Sequence, residues 1–158
     1  MESNGQERNF MKDRKFESSS ATEGKVFFDT NILVYSVDER IPEKKAIASN
    51  LLNEAALSKN GIISTQSLQE FYNAAVKKLN LSKQAAKEYV DFFSKQFPVK
   101  EISIPLIIKA IDISIKNGLS FWDSLILSTA NDTGCILVYS EDMNSGQIIC
   151  GTKVLNPF

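Results

Sequence analysis

The sequence predicts a single α/β domain with a mostly parallel central sheet flanked by helices. Short apolar runs alternate with longer segments whose apolar residues recur at helical spacing, as in that fold class. The chain has 158 residues, 43% of them hydrophobic, which suits one domain with one core. Residues 1–24 are polar and rich in Ser, Glu, Lys and Arg, so we interpret them as a disordered leader before a domain at 25–158.

The order of strands and helices follows from the apolar runs and their boundaries. Strands are predicted at 25–28, 61–65, 99–103, 135–140 and 153–158. Helices are predicted at 42–59, 67–79, 82–97, 105–118 and 121–134. Pro42 and Pro105 suit first helical positions, Ser82 suits an N-cap, and Gly118 and Gly134 suit helix ends. The strand at 99–103 is expected at an edge of the sheet.

The composition excludes several kinds of chemistry. The chain has no histidine, which rules out Ser-His-Asp and Cys-His catalysis and histidine zinc sites. A net charge of −1 argues against a broad basic surface for duplex binding.

No apolar run reaches membrane-spanning length and no signal peptide precedes the domain, so we expect a cytoplasmic protein with no membrane partner. Cys135 and Cys150 lie outside any C-x-x-C pair and are predicted to be small core residues.

Acidic residues stand at strand ends and helix starts. Asp29 interrupts the apolar run KVFFDTNILVYS where the first strand ends, and Glu141 and Asp142 follow the strand CILVYS. Glu70 lies early in the helix after GIIST, and Asp123 begins the helix in LSFWDSLIL. Because the carboxyl ends of parallel strands share one edge of the sheet, these positions can meet there.

A group of carboxylates repels itself unless a cation intervenes. Mg²⁺ or Mn²⁺ prefers oxygen ligands, and with it such a site can polarise a phosphodiester and activate water without a histidine. Each residue alone also has an ordinary structural explanation. Asp29 suits a helix cap, Asp123 a favourable charge at a helix N-terminus, Glu70 a solvated helix face and Asp142 a turn. The conjunction of the four is what favours a metal site.

Four motifs in order resemble those of the PIN-domain proteins, particularly the VapC-like toxins of toxin–antitoxin pairs. They are FFDTNILVY, STQSLQEFYNAAVKK, SFWDSLILSTA and LVYSEDMNSGQIICGTKVLNPF, and together they span residues 25–158. The resemblance implies a compact α/β/α fold and Mg²⁺- or Mn²⁺-dependent endoribonuclease activity on RNA. It also implies a homodimer that is inhibited by a cognate antitoxin, whose tail enters the acidic groove.

The resemblance implies a role for each residue that matches the family's motifs. The matches to its acidic, metal-binding catalytic residues are Asp29, Glu70, Asp123 and Asp142. Asn31 matches the polar partner of the first Asp, and Ser140 matches the small hydroxyl residue before the last acidic pair. Glu141 is adjacent to these residues and is a further candidate ligand.

Two other functions remain open on the residues. A phosphatase of the haloacid-dehalogenase type would use Asp29 as a covalent nucleophile, but that family expects a second Asp where this chain has Asn31. A non-catalytic module would keep the acidic groove only to bind a basic partner peptide.

Some lysines on helix faces can line a path for a phosphate backbone, but the sequence does not select among Lys44, Lys45, Lys77, Lys78, Lys83 and Lys87.

Overall fold

The computed structural model describes residues 24–158, so the predicted leader lies outside the described residues except for Gly24. Six strands form one sheet. They are β1 (Lys25–Phe28), β2 (Gly61–Ser64), β3 (Val99–Lys100), β4 (Cys135–Tyr139), β5 (Ile148–Ile149) and β6 (Thr152–Leu155). The five predicted strands are therefore confirmed. Those predicted at 61–65 and 135–140 end one residue earlier, that at 99–103 ends three residues earlier, and that at 153–158 begins one residue earlier and ends three residues earlier.

The described part of the chain forms six helices. They are α1 (Thr30–Val37), α2 (Pro42–Ser58), α3 (Thr65–Lys77), α4 (Lys83–Gln96), α5 (Ile104–Asn117) and α6 (Phe121–Asp132). Prolines stand at the starts of α2 and α5, and the hydroxyl of Ser82 accepts the Ala85 N–H at the start of α4. Helix α5 ends at Gly118, whose φ of 66° is readily adopted only by glycine. These local signals explain why the predicted bounds are close.

The strand order β3-β2-β1-β4-β6-β5 confirms the predicted fold class. All pairings are parallel except that of β5 with β6. The chain runs outward from β1 to β2 and β3, and then crosses to the other side of β1 to form β4. The order therefore reverses between β1 and β4, and ligand sites in open α/β sheets lie at such a point, beyond the carboxyl ends of the strands.

Hydrophobic clusters cover both faces of the sheet. Phe28 and Ile63 face the cluster that includes residues of α1 to α4, whereas Phe27 and Ile62 face the cluster that includes residues of α5 and α6. Adjacent strand residues point to opposite faces of the sheet, so two consecutive apolar residues in one strand pack against the two layers of helices. This burial on both sides fixes the strand ends that carry the acidic residues.

Three details differ from the sequence predictions. Helix α1 (Thr30–Val37) is not among the five predicted helices. Ile148–Ile149 forms a short antiparallel strand with β6, and no strand was predicted at these residues. Cys135 is buried as predicted, whereas the prediction of a core position for Cys150 is wrong. Cys150 is exposed in the turn with a φ of 50°, because the chain reverses there between β5 and β6. Within residues 24–158, no helix combines the length and apolar character needed to cross a membrane.

Candidate active site

The four predicted acidic residues lie at the carboxyl edge of the sheet, around the point where the strand order reverses. Asp29 directly follows β1, Asp142 follows β4, Glu70 lies in the second turn of α3, and Asp123 lies in the first turn of α6. Burial is the main cause that raises the pKa of both Asp29 and Asp123, and the charges of Asp142 and Glu70 raise it further in both cases. The structure therefore brings all four carboxylates within electrostatic reach of one another. We call these four residues the acidic rim.

Asp29 is the most deeply buried member of the acidic rim, with 5% of its surface exposed. The backbone N–H of Thr30 donates to its Oδ1 at 2.7 Å, and the hydroxyl of Ser140 donates to its Oδ2 at 2.7 Å. Burial raises the pKa of Asp29 to about 7, although both hydrogen bonds act to lower it. Asp29 also caps α1, which confirms the helix-cap interpretation of this residue, and the same side chain belongs to the acidic rim.

Asn31 and Ser140 connect the loops that follow β1 and β4. The Asn31 amide nitrogen lies 3.1 Å from Oδ2 of Asp142 and 3.4 Å from Oδ2 of Asp29, and its Oδ1 accepts the Glu141 N–H at 3.2 Å. The hydroxyl of Ser140, which donates to Asp29, also accepts the Asp142 N–H at 3.2 Å. These contacts fix the position of Asp142 relative to Asp29.

Two residues that the sequence analysis did not single out hold Glu70. The Thr30 hydroxyl donates to its Oε2 at 2.8 Å, and the side-chain amide of Gln66 donates to its Oε1 at 2.9 Å. The Gln66 amide also lies 3.2 Å from the backbone oxygen of Trp122, so it joins α3 to the start of α6. The spacing of Gln66 and Glu70 by four residues on one helix is the sequence signal for the first contact.

Asp123 is held by the cap of its own helix. The hydroxyl of Ser120 accepts the Asp123 backbone N–H at 3.1 Å. Partial burial raises the pKa of the Asp123 carboxyl, against a hydrogen bond from Ser120 that lowers it. The Asp123 side chain therefore enters the acidic rim from the positive end of α6.

Glu141 differs from the four rim residues because its carboxylate has a cationic partner. Lys44 forms an ion pair with it and lies 4.6 Å from the ring centre of Tyr35 and 5.4 Å from that of Phe158. Burial acts to raise the pKa of Glu141, but hydrogen bonds from Lys44 and Tyr35 hold it below its usual value. The Glu141 carboxylate is thus paired with Lys44, and the Glu141 backbone N–H donates to the Asn31 side chain.

The donor set of the acidic rim suits a hard divalent cation. All four side chains offer oxygen, and repulsion among them is the situation that such a cation relieves. Gln66 and Ser124, which touch or adjoin rim residues, each bury an oxygen without a hydrogen-bond partner in the described residues. Within residues 24–158, no three acidic or cysteine side chains lie close enough to one another in this structure to hold one metal ion. The oxygen donors and the mutual repulsion of the rim residues suit Mg²⁺ or Mn²⁺, but their side chains would have to move closer together to hold one ion.

Comparison with known proteins agrees with this architecture. A family model described as PIN domain matches residues 26–145, most of the described chain. The chain belongs to the PIN-domain family. None of the curated proteins with which the sequence was compared is significantly similar to it.

Solved structures with a similar fold include toxins and toxin–antitoxin complexes. VapC20 from Mycobacterium tuberculosis, described as a sarcin–ricin loop cleaving toxin, is 17% identical with a TM-score of 0.58, over 73% of this chain and 88% of that one. The DNA-bound VapBC from Salmonella typhimurium is 18% identical with a TM-score of 0.62, over 83% and 96%. A toxin–antitoxin complex from Klebsiella pneumoniae is 21% identical with a TM-score of 0.59, over 85% and 98%. At these identities the likeness establishes the fold.

Proposed function

We propose that this PIN-domain protein is a Mg²⁺- or Mn²⁺-dependent endoribonuclease that acts in the cytoplasm as the toxin of a type II toxin–antitoxin pair. The observation that carries the proposal is the acidic rim at the reversal of strand order, with Asp29 as its buried member. A buried carboxyl group with a pKa near 7, facing further carboxylates, is a costly arrangement that a bound cation turns into a favourable one.

Each rim residue has a distinct part in this proposal. Asp29, Glu70, Asp123 and Asp142 would hold one or two divalent ions. The bound ions supply polarisation of the phosphodiester and activation of water. Ser140 and Asn31 orient Asp29 and Asp142 through the hydrogen bonds described above, and Thr30 and Gln66 orient Glu70.

The proposed protein partner is a cognate antitoxin whose tail enters the acidic groove. The fold shared with structures solved as VapBC and toxin–antitoxin complexes supports this part of the proposal. A basic tail segment would satisfy the rim carboxylates that the metal otherwise holds.

We also propose a homodimer that pairs through α5. Four isoleucines on its outer face are 41% to 78% exposed, and they are Ile104, Ile108, Ile111 and Ile115. Successive isoleucines are separated by four, three and four residues, so the order of the spacings is the same from either end of the helix. An antiparallel copy of α5 therefore presents matching apolar side chains across a two-fold axis.

The two alternative functions fit the site less well. A dehalogenase-type phosphatase needs an acid two residues after its nucleophile, but Asn31 is an amide already engaged with Asp142 and Glu141. A purely peptide-binding module explains the acidic charge but not the burial of Asp29, since an exposed carboxylate would attract a basic peptide equally well.

The direct test incubates the purified full chain with a panel of single-stranded and structured RNAs, with Mg²⁺, with Mn²⁺ or with EDTA. The proposal expects cleavage with either metal and none in EDTA. Cleavage that continues in EDTA, or no cleavage of any RNA together with saturable binding of a basic peptide, would overturn it.

A further inference from the structure

A groove of about 430 Å³ leads away from the acidic rim between α1 and α3. Glu70 and Asp142 line one end, and Arg40, Lys77 and Lys78 line the other. Glu70 and Lys77 are seven residues apart on α3, so they lie on the same face of the helix, about 10 Å apart along its axis. The groove is therefore acidic at the reaction site and basic about two helical turns away.

Lys77 and Lys78 carry positive charges that no acidic side chain neutralises in the described part of the chain. Lys77 and Lys78 are both exposed, and neither forms an ion pair within residues 24–158. Arg40 differs, because two of its nitrogens contact the buried Asp38 carboxylate at 2.8 and 2.9 Å. Its remaining nitrogen donates to the backbone oxygen of Lys78 at 3.2 Å and so ties the segment after α1 to the end of α3. Arg40 thus holds the backbone at Lys78, while the side chains of both lysines remain available to a ligand.

The middle of the groove offers neutral polar contacts. Asn73 is exposed and lines the groove between Glu70 and Lys77. A side-chain amide donates to and accepts from sugar hydroxyls and phosphate oxygens. The acidic rim, the Asn73 amide and the two lysines thus follow one another in this order along α3.

We propose that this groove binds the sugar–phosphate backbone of a single-stranded RNA, with Lys77 and Lys78 contacting a phosphate beside the one that is cleaved. The proposal rests on the proposed nuclease function and adds the direction in which the substrate lies. Lysine binds phosphate as a point charge without reading the base, so this contact sets the position of the strand rather than the sequence cleaved. A basic peptide is the competing occupant, and the two lysines repel it from this end.

The test compares two pairs of substitutions that each remove two positive charges. The first is Lys77→Gln with Lys78→Gln, and the control is Lys83→Gln with Lys87→Gln on α4, neither of which lines the groove. Glutamine keeps helix propensity, and thermal unfolding checks that both variants fold. Binding of a fluorescein-labelled 12-nucleotide oligouridylate is measured by anisotropy over a range of salt concentrations, with Asp29→Asn added to each protein. Cleavage is measured on the variants that keep Asp29.

The expected result is about tenfold weaker binding for the groove variant and less than a twofold change for the control. The slope of log affinity against log salt should decrease in magnitude by about 0.7 in the groove variant, which corresponds to one phosphate of a single strand that is no longer neutralised. Cleavage should show a higher KM with a nearly unchanged kcat, because the lysines lie away from the reacting phosphate.

Several results would overturn the proposal. Equal weakening by both variants would mean that positive charge acts without a defined subsite. Unchanged RNA binding in the groove variant, together with tighter binding of a labelled hexa-arginine peptide, would assign the groove to a basic partner. Failure of the nuclease function is recognised separately: the Asp29-containing protein then cuts no RNA with Mg²⁺ or Mn²⁺, while loss of RNA binding in the groove variant still supports the subsite.

Discussion

Asp29 shows how one side chain can serve both the fold and the candidate site. One of its oxygens caps α1 through the Thr30 N–H, and the other accepts the Ser140 hydroxyl beside Asn31 and Asp142. The cap alone does not require burial, since helix caps work well at the surface. Burial beside other carboxylates is therefore the feature that distinguishes Asp29 from an ordinary cap.

The first prediction concerns the stability of an Asp29→Asn variant without divalent ions. The folded-state pKa of about 7 lies above the ordinary value of 3.8, so the folded protein holds a proton that the unfolded chain releases between these values. Stability of the metal-free wild type should therefore fall as pH rises from about 4 to 7. Asparagine removes this penalty, and we expect it to raise the free energy of unfolding above pH 7 by about 1–4 kcal/mol.

Thermal unfolding in EDTA from pH 4 to 8 measures this difference. The advantage of the variant should vanish near pH 4, and added Mn²⁺ should stabilise the wild type more than the variant. An Asp29→Asn protein that is less stable than the wild type in EDTA at pH 8 would contradict the assigned burial cost.

The second prediction assigns Gln66 as a positioning residue for Glu70. Gln66→Ala removes the amide that holds Glu70 and joins α3 to the start of α6, so Mn²⁺ binding should weaken about tenfold. Gln69→Ala on the exposed side of the same helix is the matched control and should leave Mn²⁺ affinity unchanged. Isothermal titration of each protein with Mn²⁺ measures the effect. Equal Mn²⁺ affinity in both variants would remove Gln66 from this role.

The sequence alone was sufficient to place the four acidic residues at one edge of the sheet, but not to predict the contacts that hold them. Asp29, Glu70, Asp123 and Asp142 stand at strand ends and helix starts, and these positions follow from local patterns. The bond from Gln66 to the Trp122 carbonyl joins residues 56 positions apart, and it depends on how α6 packs beside α3. No local pattern carries that information.

At the scale of elements, the caps of the helices determine where the rim carboxylates stand. Ser120 caps α6 and thereby holds the turn that carries Asp123, whereas Ser82 caps α4, which carries none of the rim residues. The two caps make the same kind of hydrogen bond at nearly equal lengths, 3.1 Å in both cases. Substitutions at these two caps therefore distinguish a loss of stability alone from a loss of stability together with a change at the site.

The third prediction uses this pair of caps. Ser120→Ala and Ser82→Ala should each lower the free energy of unfolding by about 1 kcal/mol. Only Ser120→Ala should also lower the rate of RNA cleavage, because the first turn of α6 then frays and Asp123 loses its fixed position. Denaturant unfolding and initial cleavage rates measure the two effects. Equal cleavage rates in both variants would show that the cap does not position the carboxylate.

Element boundaries were predictable where proline, glycine or a hydroxyl residue marks them. Helix α5 was predicted at 105–118 and spans Ile104–Asn117, with Gly118 at its end. The strand Ile148–Ile149 was missed because two residues are too few to show an alternating pattern. Its pairing with β6 depends on the turn at Cys150, which adopts a positive φ that no sequence signal announced.

At the scale of the molecule, the topology places the site and leaves one helix face uncovered. The reversal of strand order between β1 and β4 opens the carboxyl edge of the sheet to a ligand. Helix α5 packs on α6 through buried residues including Leu106 and Ile113, while its outer isoleucines face solvent. The first arrangement supports the nuclease proposal and the second supports the homodimer.

The fourth prediction tests the dimer through that face. Ile108→Glu places a charge in the middle of the α5 stripe and should convert the protein from dimer to monomer. Leu57→Glu on α2, at a side chain that is 85% exposed, is the matched control and should leave the dimer intact. Sedimentation velocity measures the mass against the 17.6 kDa of one chain. A wild type that sediments as a monomer at micromolar concentration would contradict the pairing.

The measurement that tests the central claim most directly is RNA cleavage by two acid-to-amide variants of one helix, in Mg²⁺ and in Mn²⁺. Asp123→Asn changes a rim residue at the start of α6, and Asp132→Asn changes an exposed residue at its end, which pairs with Lys100. We predict that Asp123→Asn lowers the cleavage rate at least about 100-fold with its fold intact, and that Asp132→Asn cleaves as the wild type does. Cleavage by Asp123→Asn at the wild-type rate would contradict the account of the acidic rim as the metal-dependent nuclease site.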